Sequence, residues 1–343
     1  MAGLSTLTAA MFRWLVLAFG LALTGCGDRL EQFGGPTMGS SYSVKYLRGA
    51  SGPTVEQARA EVEGILAEVD RQMSTYRADS VVEQFNALPA GRCMALPAPM
   101  LELVRFAGEL SAESDGAFDI TLEPLLDLWG FGPQSRSGQV PGADAIAAAM
   151  AEVGQRHLRI RGVELCKDAA VQLDFNSIAA GYAVDRVVAR LGELGVSSAL
   201  VEITGELKAV GHRPDGTPWR IAIEAPRDDR QVAQKIIPLD GLGVSTSGDY
   251  RNYFEKDGRR YSHTLDPATG APIRHNLAAV TVVDESALRA DGLSTLLLVL
   301  GPEEGRAYAE RHGIAAFFVS REGQGFVSQG SSRFRELFEA GEP

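Results

Sequence analysis

The chain has 343 residues, of which 45% are hydrophobic and 22% charged, a globular balance that excludes a wholly disordered, collagenous or coiled-coil protein. With 44 acidic against 33 basic residues its formal charge is −11, which repels a phosphate backbone and excludes nucleic acid as a partner. An anionic small molecule is not excluded, but something other than the net field must hold it.

Residues 1–25 read as a signal peptide. Arg13 is the only charge among them, and Trp14 to Leu23 is an apolar run too short to span a bilayer comfortably. Leu23-Thr24-Gly25-Cys26 has the form of a bacterial lipobox, so cleavage before Cys26 and acylation of its thiol are expected. Such a chain is anchored to a membrane without crossing it. Export implies an oxidising compartment, on the periplasmic side of the cell envelope. Cys93 and Cys166 can pair there or remain free thiols, since sequence separation alone carries no geometry. Residues 26–36 read as a lipid-anchored tether and residues 37–343 as one folded domain.

Thr37 to Leu47 alternates as a first strand and places Met38-Gly39 on it. Thr54 and Gln57 form a capping box before Val55, Ala58, Val62, Ile65, Val69 and Met73, which recur at helical spacing. Ser80 and Glu83 form a second capping box. Helices follow over Pro99 to Glu113 and Ala143 to Val153. Strand patterns then appear at His157 to Arg161, Val171 to Phe175, Ala199 to Ile203 and Trp219 to Glu224, with a helix over Ala179 to Leu194. Asp257-Gly258 signals a type I′ hairpin between arms carrying Phe254 and Tyr261. A turn at Asp266 to Gly270, a strand at Ala278 to Val283, a helix at Leu288 to Leu300 and a strand at Ala315 to Ser320 complete the chain. The mixture lacks strict βαβ alternation. It predicts an α+β fold, a mainly antiparallel sheet with helices packed on one side.

Familiar catalytic signatures are missing. No P-loop, GxGxxG after a strand, HExxH, paired CxxC or GxSxG occurs. Four short constellations remain. Asp291 and Thr295 lie four residues apart at the start of an apolar helix, so a carboxylate and a hydroxyl share one face. That pair suits a hard cation such as Mg²⁺, or it serves the helix end through the dipole and a backbone bond. Asp174 precedes a helix start that offers free N–H groups to an anion, or it simply caps that helix. Gly116 to Thr121 and Leu128 to Gly132 set aromatics beside glycines, as a ring cradle or as core and turn. Met73-Ser74-Thr75-Tyr76 closes the long helix.

The order of these segments resembles the ApbE family, the FAD:protein FMN transferases of bacterial lipoprotein type. The matching segments are Thr37-Met38-Gly39-Ser40, Met73 to Tyr76, GAFDIT at 116–121, LWGFG at 128–132, LDFNSIAAGYAVD at 173–185, TSGDY at 246–250, SHTLDPATG at 262–270 and ADGLST at 290–295. They span nearly the whole of residues 37–343. The resemblance implies an ApbE-like fold with FAD as substrate, contacted by Met38, Tyr76, Ala117, Phe118, Asp119, Asp174, the position of Ala180, His263 and Leu265. It implies Mg²⁺ held by Asp291 and Thr295 with backbone carbonyls of Ser177 and Ser294. The implied reaction moves FMN from FAD to a threonine hydroxyl of an exported acceptor protein carrying a Ser/Thr-containing motif, and releases AMP. Hydrolysis of FAD to FMN and AMP, or non-catalytic flavin binding during assembly, are the alternatives.

A threonine hydroxyl is a poor nucleophile, and His263 is the side chain best suited to act as its base, or it only positions the flavin. Two departures from the family pattern stand out. Ala180 occupies a position where many members carry Lys, so that contact is lost, or it is replaced by water or a nearby Arg. Thr204-Gly205-Glu206 stands where the family usually has two glycines before the acid.

Overall fold

The computed structural model describes residues 28–133, 139–227, 232–250 and 252–340. The expected signal peptide and the lipidation residue Cys26 lie outside the described residues. Eight strands share one sheet: β1 (Arg29–Thr37), β2 (Ser40–Arg48), β3 (Ala199–Ile203), β4 (Glu206–Val210), β5 (Leu242–Gly248), β6 (Leu277–Asp284), β7 (Ala315–Glu322) and β8 (Gly325–Gly330). Their spatial order is their order along the chain. Every neighbouring pair is antiparallel. In such a meander successive connections alternate between the two ends of the sheet. The β1–β2, β3–β4 and β5–β6 connections therefore share one end, which gathers Met38, Thr204 and His263 from distant parts of the chain.

The first connection corrects two expectations. Arg29–Pro36 is no tether, because β1 pairs with β2 without interruption from Arg29↔Arg48 to Thr37↔Ser40. Met38-Gly39 is not on a strand but is the two-residue turn between them, with φ of 45° and 73°, as a type I′ hairpin requires.

Eight helices complete the described residues: α1 (Val55–Met73), α2 (Val81–Asn86), α3 (Ala98–Glu113), α4 (Glu123–Trp129), α5 (Ala143–Met150), α6 (Ala179–Glu193), α7 (Ala287–Arg311) and α8 (Ser332–Phe338). The Thr54–Gln57 capping box closes in both directions. Ser80 makes only half of its box: its hydroxyl accepts from the Glu83 N–H, while its own N–H bonds to Arg77 O. The helix expected to end at Leu300 continues as α7 across a kink at Gly301, where φ is 81° and Pro302 follows.

One face of the sheet presents Val44, Val201, Val280, Val282 and Phe318 to Val62, Leu103, Val187 and Leu297 of α1, α3, α6 and α7. Each such side chain contributes roughly 1.5–3 kcal/mol through burial. The opposite face is covered by a hairpin, Trp219–Glu224 with Ala233–Leu239, and by α8. The α+β expectation holds, with short α8 as the helix on the second face. The Asp257-Gly258 hairpin also forms, with both φ positive and Phe254 stacked on Tyr261 at 5.0 Å between ring centroids.

Between β2 and β3 the chain makes a long excursion, residues 49–198, which carries α1 to α6 and a three-stranded sheet. In that small sheet Arg92–Ala95 pairs with Glu164–Lys167, which pairs with Leu158–Arg161. Cys93 stands opposite Cys166 and forms a disulfide with it, which decides between the two states left open by sequence. Val171–Phe175 is not a strand of any sheet. Its alternate residues Val171, Leu173 and Phe175 are buried, but its backbone makes only one isolated bridge, Gln172 to Leu122, and otherwise bonds to side chains, to Ile120 O and into the start of α6.

Candidate active site

Helices α6 and α7 approach so closely that a Cβ on Gly181 would lie 2.4 Å from Ala287 O and 2.7 Å from Asp291 Cβ. Only glycine fits there. The approach uses a feature common to helix starts, amides without an intrahelical partner: the Gly181 N–H lies 2.9 Å from Asp291 Oδ2 and donates to it. Asp291 is 5% exposed. Its other oxygen lies 3.3 Å from Ser245 Oγ on β5. The same hydroxyl lies 3.4 Å from Glu206 Oε1 and 3.2 Å from Ser294 Oγ. A single hydroxyl proton serves one acceptor at a time.

Burial, and then the charge of Glu206, hold the Asp291 carboxyl well above the usual carboxylate range. Two carboxylates sharing one hydroxyl in a dry place are costly without a cation. Hydroxyl groups extend the cluster. Ser247 Oγ is 2.9 Å from Ser294 Oγ and 3.1 Å from Thr295 Oγ1. Ser294 also bonds back to Asp291 O at 2.9 Å. Among the described residues no group of three His, Cys, Asp or Glu gathers as a metal site. The oxygens gathered around Asp291 are instead the carboxylates of Asp291 and Glu206 and the hydroxyls of Ser245, Ser247, Ser294 and Thr295, a hard oxygen set that fits Mg²⁺ and not zinc.

Glu206 is fixed by the β3–β4 turn. Thr204 has φ of 57° and Gly205 has φ of 119°, conformations that two glycines adopt without cost. Thr204 thus keeps the backbone of a Gly-Gly pair at roughly 1–2 kcal/mol of local strain. In return its hydroxyl donates to Glu206 Oε2 at 2.9 Å.

His263 follows the last strand of the Asp257-Gly258 hairpin. Its Nδ1 is 3.0 Å from Asn252 O. A carbonyl can only accept, so Nδ1 carries the proton and Nε2 presents a lone pair. Burial holds the imidazole below its ordinary value, opposed by the Asn252 bond and the charge of Asp249. The ring meets Phe131 edge-on at 6.4 Å.

Asp119 and Asp174 belong to turns. Asp119 Oδ1 accepts from the Thr121 N–H at 2.7 Å and the Thr121 hydroxyl at 2.6 Å. Burial still raises its carboxyl. Asp174 accepts from the Asn176 N–H at 2.6 Å and from its side chain at 3.1 Å, so it makes a local Asx turn before α6. Burial raises it to about 6.

One cavity of about 660 Å³ brings these parts together. Ala117, Phe118, Asp119, Asp174, Ser177, His263, Leu265, Asp291 and Thr295, all expected from sequence, line it. Four expected residues stand outside its walls. Met38 sits in the β1–β2 turn. Tyr76 projects into solvent, 69% exposed. Ala180 is buried in the first turn of α6, and Ser294 is buried beside Asp291.

The lining residues include six acids, Asp119, Asp174, Glu202, Glu206, Glu224 and Asp291, and among the described residues no Lys or Arg. Glu206 and Ser245 were not expected as site residues. The available signal was the polar run Ser245-Thr246-Ser247, which continues a strand whose preceding residues Gly243 and Val244 are buried.

The ApbE family profile matches residues 38–318. The FAD:protein FMN transferase of Vibrio cholerae is 42% identical over 329 residues, covering 95% of this chain and 98% of that protein. The Escherichia coli K12 protein of the same name is 34% identical over 340 residues, covering 95% and 97%. Among solved structures, the flavinyl transferase ApbE of Pseudomonas stutzeri superposes with a TM-score of 0.87 at 68% identity, covering 92% of this chain and 98% of that one. The corresponding flavin transferase of Vibrio cholerae gives a TM-score of 0.84 at 40% identity, covering 90% and 100%. With its eight-stranded meander, its acidic cavity and a match over most of its length, this chain belongs to the ApbE family.

Proposed function

We propose that the protein is a FAD:protein FMN transferase that uses Mg²⁺ to move FMN from FAD to a threonine hydroxyl of an exported acceptor protein, releasing AMP. The observation that carries this reading is the convergence of Asp291, Thr295, His263, Asp119 and Asp174 on one cavity. A pyrophosphate brought to six carboxyl groups needs a cation. Asp291 and Thr295, with carbonyls of Ser177 and Ser294, would hold Mg²⁺. Bound there, the ion would supply Lewis-acid neutralisation of the phosphates and of leaving AMP.

The chain's own groups then divide the work. Phe118 and Leu265 wall the flavin side. Asp119 and Asp174 accept hydrogen bonds from the substrate's N–H and O–H groups. The acceptor hydroxyl oxygen forms a bond to the phosphorus of the FMN half, and the bond from that phosphorus to the AMP oxygen breaks. The hydroxyl proton passes to His263 Nε2, which burial keeps neutral and ready.

We also propose export and anchoring through Cys26, on the periplasmic side. The Cys93–Cys166 disulfide supports export, because such bonds persist in oxidising compartments. Among the described residues no helix is long and apolar enough to cross a membrane.

The test is to incubate the mature protein with FAD, Mg²⁺ and an acceptor domain and to weigh the products. An acceptor heavier by one FMN is expected. Free FMN with an unshifted acceptor would replace transfer by FAD hydrolysis, and unchanged FAD would leave flavin binding alone.

A further inference from the structure

Asp174 reaches the cavity on a segment whose one edge meets residues 120–122 through a single parallel bridge, Gln172 to Leu122, and whose other edge has no strand beside it among the described residues. The segment 171–175 is extended and alternately buried, yet it belongs to no sheet. Its backbone groups still need partners, since burying them bare is costly. The Asp174 N–H donates to Ile120 O at 2.8 Å. At Leu173 both bonds go to one side chain. The Leu173 N–H donates to Asn86 Oδ1 at 2.7 Å, and Asn86 Nδ2 donates to Leu173 O at 3.0 Å. A carboxamide presents the same donor and acceptor pair as a peptide unit, so Asn86 gives Leu173 what a neighbouring strand would give.

Asn86 is itself held from three sides. Its Nδ2 also lies 3.2 Å from Glu83 Oε1 and 3.2 Å from Glu123 Oε2. Lys167 Nζ donates to Asn86 O at 3.0 Å and to Val171 O at 2.9 Å. That ammonium, only 2% exposed, ties the end of α2 to the start of the same segment. Neither Asn86 nor Lys167 lines the cavity.

We propose that Asn86 is a positioning residue of the site, a side-chain substitute for a missing strand that sets the backbone of Leu173 and so the place of Asp174 on the cavity wall. The inference rests on the reading of the cavity as a FAD site. It predicts an energetic coupling between two residues that do not share a ligand contact.

The experiment is a double-mutant cycle on the full mature protein, with FAD dissociation constants measured by flavin fluorescence in saturating Mg²⁺, well below the unfolding midpoint. Asn86→Ala is expected to weaken FAD binding about tenfold, by freeing the Leu173 amide and carbonyl. In an Asp174→Ala background the same change is expected to alter affinity by less than about twofold, because its effect passes through Asp174. A role confined to stability would leave FAD affinity of the folded protein unchanged, and that result overturns the proposal. A full tenfold further loss in the Asp174→Ala background overturns it as well. If Asn86→Ala does not fold, Asn86→Asp takes its place in the same cycle: it keeps an acceptor for the Leu173 N–H but loses the donor to Leu173 O, and the same two outcomes decide. Wild-type protein that binds no FAD would overturn the transferase reading, and this inference with it.

Discussion

Gly181 offers the sharpest perturbation. Replacing it by Ala adds a single methyl at the crossing of α6 and α7. The added carbon would stand 2.4 Å from Ala287 O, where 3.4 Å is an ordinary contact, and 2.7 Å from Asp291 Cβ. The helices must therefore part by about 1 Å, and α7 carries Asp291 with it. Overpacking of this kind costs about 1–3 kcal/mol. The 2.9 Å bond from the Gly181 N–H to Asp291 Oδ2 stretches or breaks, and a bond to a charged group is worth roughly 1.5–3 kcal/mol. Alanine's better helix propensity returns about 1 kcal/mol. The net expectation is a loss of roughly 2–5 kcal/mol in urea unfolding without metal. A displacement of about 1 Å at a reacting centre can also cost about 100-fold in rate. Flavinylation of an acceptor, followed by mass at increasing Mg²⁺, should show a fall of that order that more metal does not restore. Wild-type stability together with a wild-type rate in Gly181→Ala would refute the argument that this contact places Asp291.

Asp291→Ala should abolish transfer and the rise in melting temperature that Mg²⁺ gives the wild type. Its metal-free stability should fall less than that of Gly181→Ala, because loss of the Gly181 bond is offset by removal of a buried carboxyl beside Glu206; full activity in excess EDTA would contradict the metal assignment. His263→Ala should slow transfer by roughly 100-fold or more while FAD affinity stays within about threefold. A base works when neutral, and the His263 imidazole is held below its usual 6.5. In the wild type kcat/KM should therefore rise with pH through that lowered value and level off by neutrality. The variant should lack this limb, and an unchanged profile would show that His263 is no base. Replacing Cys93 and Cys166 together by Ala should lower stability by about 4 kcal/mol, the loop-closure contribution expected for a separation of 73 residues, measured by urea unfolding against the oxidised parent.

What could be read in advance was local. The Thr54–Gln57 box and the Asp257-Gly258 turn are decided by neighbours a few residues away, and both formed as expected. The Asp291 and Thr295 pair followed from helical spacing alone. By contrast, β1 was hidden because it is an edge strand with Phe33 as its buried residue, so it lacks the alternation that marks a half-buried strand. Its glycines also looked like a linker, yet Gly34 is needed where a Cβ would meet Tyr42 O at 2.6 Å. The alternation over Val171, Leu173 and Phe175 was real, but alternation reports which face is dry and not what pairs with the backbone. Glu206 and Ser245 joined the site through sheet order, which brings β4 and β5 side by side over a separation no local pattern encodes. The disulfide was undecidable for the same reason, since Cys93 meets Cys166 only after the small sheet has formed.

The meander has a consequence for the order of assembly. β1–β2, β3–β4 and β7–β8 are joined by two-residue turns and can close early, because hairpins form within microseconds. The β2–β3 pairing, Tyr46 beside Ala199, must wait for residues 49–198 to come home, and closing so long a loop returns no contact until it is finished. The cavity draws one wall from inside that loop, at Ala117 to Asp119 and Asp174 to Ser177, and the other from β4, β5 and α7 beyond it. Neither half alone completes the cavity. Ligand binding is thus tied to the last step of folding, and a bound nucleotide stabilises only the finished chain.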